Sequence, residues 1–162
     1  VLLKEIEEYP VMGVIVGATN HPELLDKAIW RRFDRTLVIE MPELSERKKL
    51  IVRHLDEYVD VLENDTIDYI SLNAAGINSA DICKLCNHIK RQLILNPETH
   101  PKIIALAELF KINIPKDKNE KIKICSNLKH EFPRLSQRDI SQITHIPLTS
   151  VSRYLAIGKK EG

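Results

Sequence analysis

The hydrophobic period of this chain changes at Pro42, and any fold must accommodate both sides of the change. Before it, Gly13-Val-Ile-Val-Gly-Ala-Thr-Asn20 is a short β-branched run bounded by glycine and by a polar tip, the pattern of a strand buried on both faces of a parallel sheet. Thr36-Leu-Val-Ile-Glu-Met41 is a second such run, stopped by Pro42. Pro22 to Arg31 between them has helical composition, and the order strand, helix, strand implies an α/β crossover unit. Leu2-Leu3-Lys-Glu-Ile6 has the apolar spacing of the tail of another helix. After Pro42 the period becomes helical: Leu44, Leu50, Ile51, Leu55, Tyr58, Val59 and Leu62 form one stripe. Thr66 to Ala75 is a second helix closed by Gly76. Asn78 with Asp81 starts a third, which turns Ile82, Leu85, Cys86, Ile89 and Leu93 inward and ends before Pro97. An α/β fragment therefore gives way to an all-helical piece.

Pro97, Pro101 and Pro115 enclose a helix around Ile103 to Phe110, and the lysine-rich stretch Lys111 to Lys123, with little periodicity, reads as a linker or a loosely packed connection. A compact pattern resumes at Pro133. Ser136 with Asp139 is a capping-box-like helix start that carries Ile140 and Ile143 inward. His145-Ile146-Pro147 is a turn, and Pro147 suits the first position of a helix that buries Val151, Tyr154 and Leu155. Two short helices on a three-residue turn make a helix-turn-helix.

At 162 residues, 43% hydrophobic and 29% charged, the chain can bury a core, so disorder is excluded as its default state. The net charge of +1 hides an asymmetry: residues 1–100 carry 12 basic and 17 acidic side chains, residues 101–162 carry 12 and 6. The C-terminal third can face a polyanion. Apolar stretches such as Gly13 to Ala18 fall far short of the ~20 residues of a membrane span, so a soluble protein is expected. Three cysteines with no signal peptide ahead of them favour reduced thiols and a cytoplasmic setting. Cys83-x-x-Cys86 lies in a predicted helix with His88 about 200° around from Cys86 and no second ligand pair, which favours core packing over a metal site. A chain that opens on Val1 is expected to be part of a longer one.

Asn20, at the carboxyl end of a strand candidate, stands where open α/β sheets place ligands, although Asn-His-Pro is also good turn chemistry. The pair Arg31-Arg32 follows a helix end. The order Gly-Ala-Thr-Asn20-His-Pro-Glu-Leu-Leu-Asp-Lys-Ala-Ile-Trp-Arg31-Arg32-Phe-Asp-Arg35, then a run ending in Met41-Pro42, resembles the second half of an AAA+ ATPase module of the ring-forming unfoldase and remodeller clade. The resemblance implies that residues 1–42 end a parallel-sheet P-loop NTPase core and that 43–98 form a helical lid, leaving 99–132 as a helical connection and 133–162 as the helix-turn-helix. It implies that Asn20 is the polar sensor that positions the attacking water, and that Arg31 and Arg32 are arginine fingers reaching a neighbouring subunit's nucleotide. His54 falls where such modules place a histidine near the nucleotide's sugar, and Gly76-Ile-Asn-Ser79-Ala80 looks like the lid motif that packs on adenine, with Ser79 in place of the family's glycine.

The implied cofactors are ATP and Mg²⁺, and the implied assembly is a homo-oligomer, a ring, acting on a protein substrate or on DNA. None of the five glycines begins a Gly-x-x-x-x-Gly-Lys-Ser/Thr cradle, and no strand ends in Asp-Glu. ATP and Mg²⁺ are therefore expected to be bound mainly by residues upstream of Val1, and this chain alone is not expected to hydrolyse ATP. The C-terminal pair resembles DNA-binding helix-turn-helix motifs, through Val-Ser-Arg-Tyr-Leu155, and departs from them at His145, where glycine is frequent. On that resemblance Thr149, Ser152 and Arg153 reach into the major groove while Arg138, Lys159 and Lys160 hold phosphates. Two other readings stay open: a non-catalytic DNA-binding regulator that uses the ATPase remnant as an oligomerisation scaffold, and a protein remodeller whose C-terminal helices grip an adaptor.

Overall fold

The computed structural model describes Lys4 and residues 13–161, with side chains described through Gly158. The chain divides into two units, residues 1–40 and 41–162. The helix tail expected at Leu2 to Ile6 lies, apart from Lys4, outside the described residues.

In the first unit a 3₁₀ turn, Pro22–Leu24, precedes the short helix α1, Lys27–Trp30. Asp26 caps α1 by accepting from the Ala28 N–H at 2.8 Å. The flanking runs are not strands. The expected α/β parallel-sheet fragment is thus overturned: the described residues contain helices, turns and irregular backbone only. The physical reason is the missing partner. β-Branched composition favours extended backbone, but a strand exists only where a neighbour takes its alternating N–H and C=O groups. Among the described residues no backbone hydrogen bond joins 13–20 to 36–41. Val14, Val16, Leu37, Val38 and Ile39 stay 79–94% exposed, where a sheet would bury them.

Among its described residues the second unit is built of helices joined by short turns and irregular segments. Helix α2, Leu44–Leu55, opens on a capping box in which the Glu43 N–H donates to Glu46 Oε2 at 2.9 Å. A 3₁₀ turn, Asp56–Tyr58, leads into α3, Val59–Leu62, and α4, Asn64–Asn73. Gly76, at φ 80°, supplies the left-handed residue after α4. Helix α5, Ser79–Leu95, starts on Asn78, whose side chain accepts from the Asp81 N–H at 2.8 Å. Helix α6, Pro101–Ile112, has proline at its first position. Then come α7, Lys118–Glu131, α8, Gln137–Thr144, and α9, Leu148–Glu161.

Helix α5 packs on α2 and α6, α4 on α2 and α6, α6 on α8, and α9 on α7 and α8. One continuous apolar cluster runs through them, from Ile51 and Leu55 through Ile82, Leu106 and Leu128 to Ile143 and Val151. The stretch that the sequence suggested was a loose connection carries the start of α7, which buries Cys125 and Leu128, leaves Lys118 and Lys123 exposed, and uses half-buried Lys129 to donate to the Pro133 and Leu135 carbonyls. Arg47 is buried as well. Its Nε donates to the Ser71 carbonyl and its Nη1 to the Pro42 carbonyl, each at 2.8 Å, so one guanidinium fork joins the entry of α2 to α4. Among the described residues no helix is long and apolar enough to cross a membrane.

Candidate functional site

His54 sits in the last turn of α2 and Cys83 in the second turn of α5, on the faces where these helices pack. Cys83 Sγ lies 3.0 Å from His54 Nε2, and both side chains are half-buried. One turn further on, Cys86 is buried with its Sγ toward the Ile51 carbonyl, and burial together with the neighbouring Cys83 pushes its thiol up to about 12. The sequence pattern assigned both cysteines to the core. Only Cys86 lies there.

The start of α5 is open to solvent: Gly76, Ser79 and Ala80 are exposed. Asn78 also donates from its amide to Asp81 Oδ2 at 2.9 Å. Lys84, through its hydrogen bond and its charge, holds the Asp81 carboxyl below the usual range. Left-handed Gly76 thus precedes a 17-residue helix whose second turn meets the His54 imidazole through Cys83.

In the first unit, Asn20 is exposed at a bend, where the His21 N–H donates to Thr19 Oγ1 at 3.0 Å. Arg31 is the C-cap of α1, and the Arg32 N–H donates to the Ile29 carbonyl at 3.0 Å. Both arginines are exposed.

In the second unit, α8 and α9 are joined by the three residues His145, Ile146 and Pro147. The capping box of Ser136 and Asp139 forms as the sequence predicts. His145 adopts φ 56°, the left-handed position that glycine usually fills. Arg138, Thr149, Ser152 and Arg153 are exposed. The Ser152 hydroxyl is engaged, donating to Gln137 Oε1 and lying near the Leu148 carbonyl, while the Arg153 guanidinium stacks 5.4 Å from the Tyr154 ring. Lys159 and Lys160 belong to the backbone of α9, and their side chains lie outside the described residues. No group of three or more His, Cys, Asp or Glu side chains among the described residues can hold a metal ion.

The sequence is 36% identical over 75 residues to a probable spastin homolog of Caenorhabditis briggsae, covering 45% of this chain and 14% of that protein. It is 38% identical over 76 residues to the ATP-dependent zinc metalloprotease FtsH of Karelsulcia muelleri, covering 46% of this chain and 12% of that one. It is also 36% identical over 84 residues to fidgetin-like protein 1 of Xenopus laevis, covering 52% and 12%. These relatives are AAA+ ATPases. The matched segment spans only 12–14% of their length. No family model and no solved structure matches the chain.

Proposed function

We propose that this chain supplies the sensor, finger and lid residues of an oligomeric AAA+ ATPase. The observation that carries the reading is the contact of His54 with Cys83 in the second turn of α5, the helix whose exposed start holds Gly76, Ser79 and Ala80. The similarity to three kinds of AAA+ ATPase over about half of the chain supports it.

In this reading the nucleotide's sugar and base lie against His54 and the start of α5, with the Ala80 methyl and the Ser79 hydroxymethyl toward adenine. The Asn20 amide orients the attacking water through one donor and one acceptor. Arg31 and Arg32 act on the nucleotide of a neighbouring copy, because a planar, permanently charged fork stabilises charge that spreads over the phosphoryl oxygens in the transition state. Among the described residues no group of three or more His, Cys, Asp or Glu side chains can hold a metal ion, and this reading assigns Mg²⁺ and the phosphates to residues outside these 162. Turnover measured in the full-length protein against its concentration tests this. Activity per subunit is expected to rise as the oligomer assembles, and Arg31→Ala or Arg32→Ala to lower it by about 10³-fold or more. A flat concentration dependence, or full activity in both variants, overturns the finger roles.

A DNA-directed C-terminus is the second reading, and the exposure of Arg138, Thr149 and Arg153 on adjoining helices that share the basic third of the chain favours it. In it, Thr149, Ser152 and Arg153 meet base edges, while Arg138, Lys159 and Lys160 meet phosphates. Ser152 has to release Gln137 to take part. Duplex binding is expected to weaken with salt along a log–log slope of magnitude at least about 2, and a slope near zero removes the phosphate contacts.

A further inference from the structure

The ring of His54 is held from outside its own helix. Its Nε2 meets Cys83 Sγ at 3.0 Å across 29 positions of sequence, whereas its Nδ1 has no partner among the described residues. A neutral thiol is a donor and its sulfur a weak acceptor, so the contact is best satisfied when S–H donates to a bare Nε2. That choice dictates the other nitrogen, since a neutral imidazole with a bare Nε2 carries its proton on Nδ1. Cys86 cannot perform this task, because it is fully buried and turned toward the Ile51 carbonyl.

We propose that Cys83 is a positioning residue: its S–H fixes His54 as the Nδ1–H tautomer and so presents one oriented donor at the opening of α5. Resting on the nucleotide reading above, this donor is the group offered to a sugar oxygen of ATP. The ring of an unconstrained histidine side chain prefers the opposite tautomer, so without Cys83 the same nitrogen faces the ligand as an acceptor, which a hydroxyl can still meet but an ether or phosphate oxygen cannot. The thiol thereby narrows which oxygens His54 can bind.

Long-range ¹H–¹⁵N NMR of the His54 ring, in mildly alkaline buffer, reads the tautomer directly in this chain. The wild type and Cys83→Ser, which keeps a donor at the same place, are expected to show Nδ1–H, and Cys83→Ala to shift mainly to Nε2–H. A wild-type ring protonated on Nε2, or the same tautomer in Cys83→Ala as in wild type, overturns the proposal. Affinity of the full-length protein for a fluorescent ATP analogue then tests the use of the donor. Cys83→Ala is expected to weaken binding about fivefold, Cys83→Ser to restore most of the loss, and His54→Ala to add little once Cys83 is alanine. A tautomer that shifts as expected while His54→Ala leaves affinity unchanged overturns instead the placement of the nucleotide beside His54.

Discussion

Burial separates the three thiols from one another. Cys86 and Cys125 are fully buried, and burial pushes their thiols up to about 12 and about 11, whereas Cys83 is only half-buried. Thiolate, not thiol, is the nucleophile, so brief iodoacetamide treatment of the native protein is expected to alkylate Cys83 alone, and mass spectrometry to find the other two modified only after denaturation. The same shifts bear on stability at high pH. Because the folded-state values lie above the ordinary 9.0, the folded protein keeps these protons longer than the unfolded chain does. Their contribution is complete below pH 9 and is lost as pH rises toward 11–12, so urea midpoints are expected to fall across that window. Asp65 shows the opposite sign. Burial would raise its carboxyl, but the hydrogen bond and charge of Lys102, with help from Thr66, outweigh it and bring it below the usual 3.8. Lys102 reaches both Glu63 and Asp65 at 2.8 Å and lies 4.9 Å from the centre of the Phe132 ring. The Asp65 contribution is present above pH 3.8 and lost as pH falls below it. Asp65→Asn is therefore expected to cost about 0.5 kcal/mol in neutral urea titrations, and the difference from wild type to vanish in strong acid.

Helices α7 and α9 cross at Gly158, where an added methyl would overlap Ser126 Oγ and stand 3.1 Å from its Cβ. Among the described residues the same Ser126 hydroxyl is buried without a hydrogen-bond partner. Alanine in a helix is worth about 1 kcal/mol over glycine, but overpacking costs about 1–3 kcal/mol, so Gly158→Ala is expected to destabilise the wild type. Adding it to Ser126→Ala is expected to cost at least about 0.5 kcal/mol less, a coupling that a double-mutant cycle of denaturation curves measures. What the sequence made legible at this scale was local. The caps at Asn78 and Ser136 and the glycine after α4 depend on residues three or four positions apart, and each stands where the pattern put it. The strands did not follow, because the runs ending at Asn20 and Met41 encode a backbone preference and not the partner that makes a strand. Helix α7 was obscured by its lysines, since Ile122, Ile124, Cys125 and Leu128 are spaced too irregularly among them to stand out. The Arg47 fork and the His54–Cys83 contact join residues 24 and 29 positions apart, and no local pattern announces either.

The apolar cluster that links α2 to α9 makes residues 41–162 one packing unit, with α6 touching α4, α5 and α8 at its middle. Leu106 of α6 is fully buried in that cluster. Leu106→Ala removes methyl contacts and leaves a cavity, which is expected to cost about 2–5 kcal/mol. Where that loss is felt distinguishes one cooperative body from separate small domains. A lid and a C-terminal helix pair that unfold independently would pass the loss only to the side on which Leu106 packs more closely. A single cooperative unit lowers the free energy of global opening everywhere, so the slowest-exchanging amides of α2 and α5 and those of α8 and α9 lose the same protection. Native-state hydrogen exchange on wild type and Leu106→Ala is expected to show that equal loss at both ends. Equal loss would also mean that strain introduced at the start of α5 can reach α9 through packed side chains, because close-packed interiors transmit strain. Protection lost on one side alone would instead place a hinge within the helical unit and break that route.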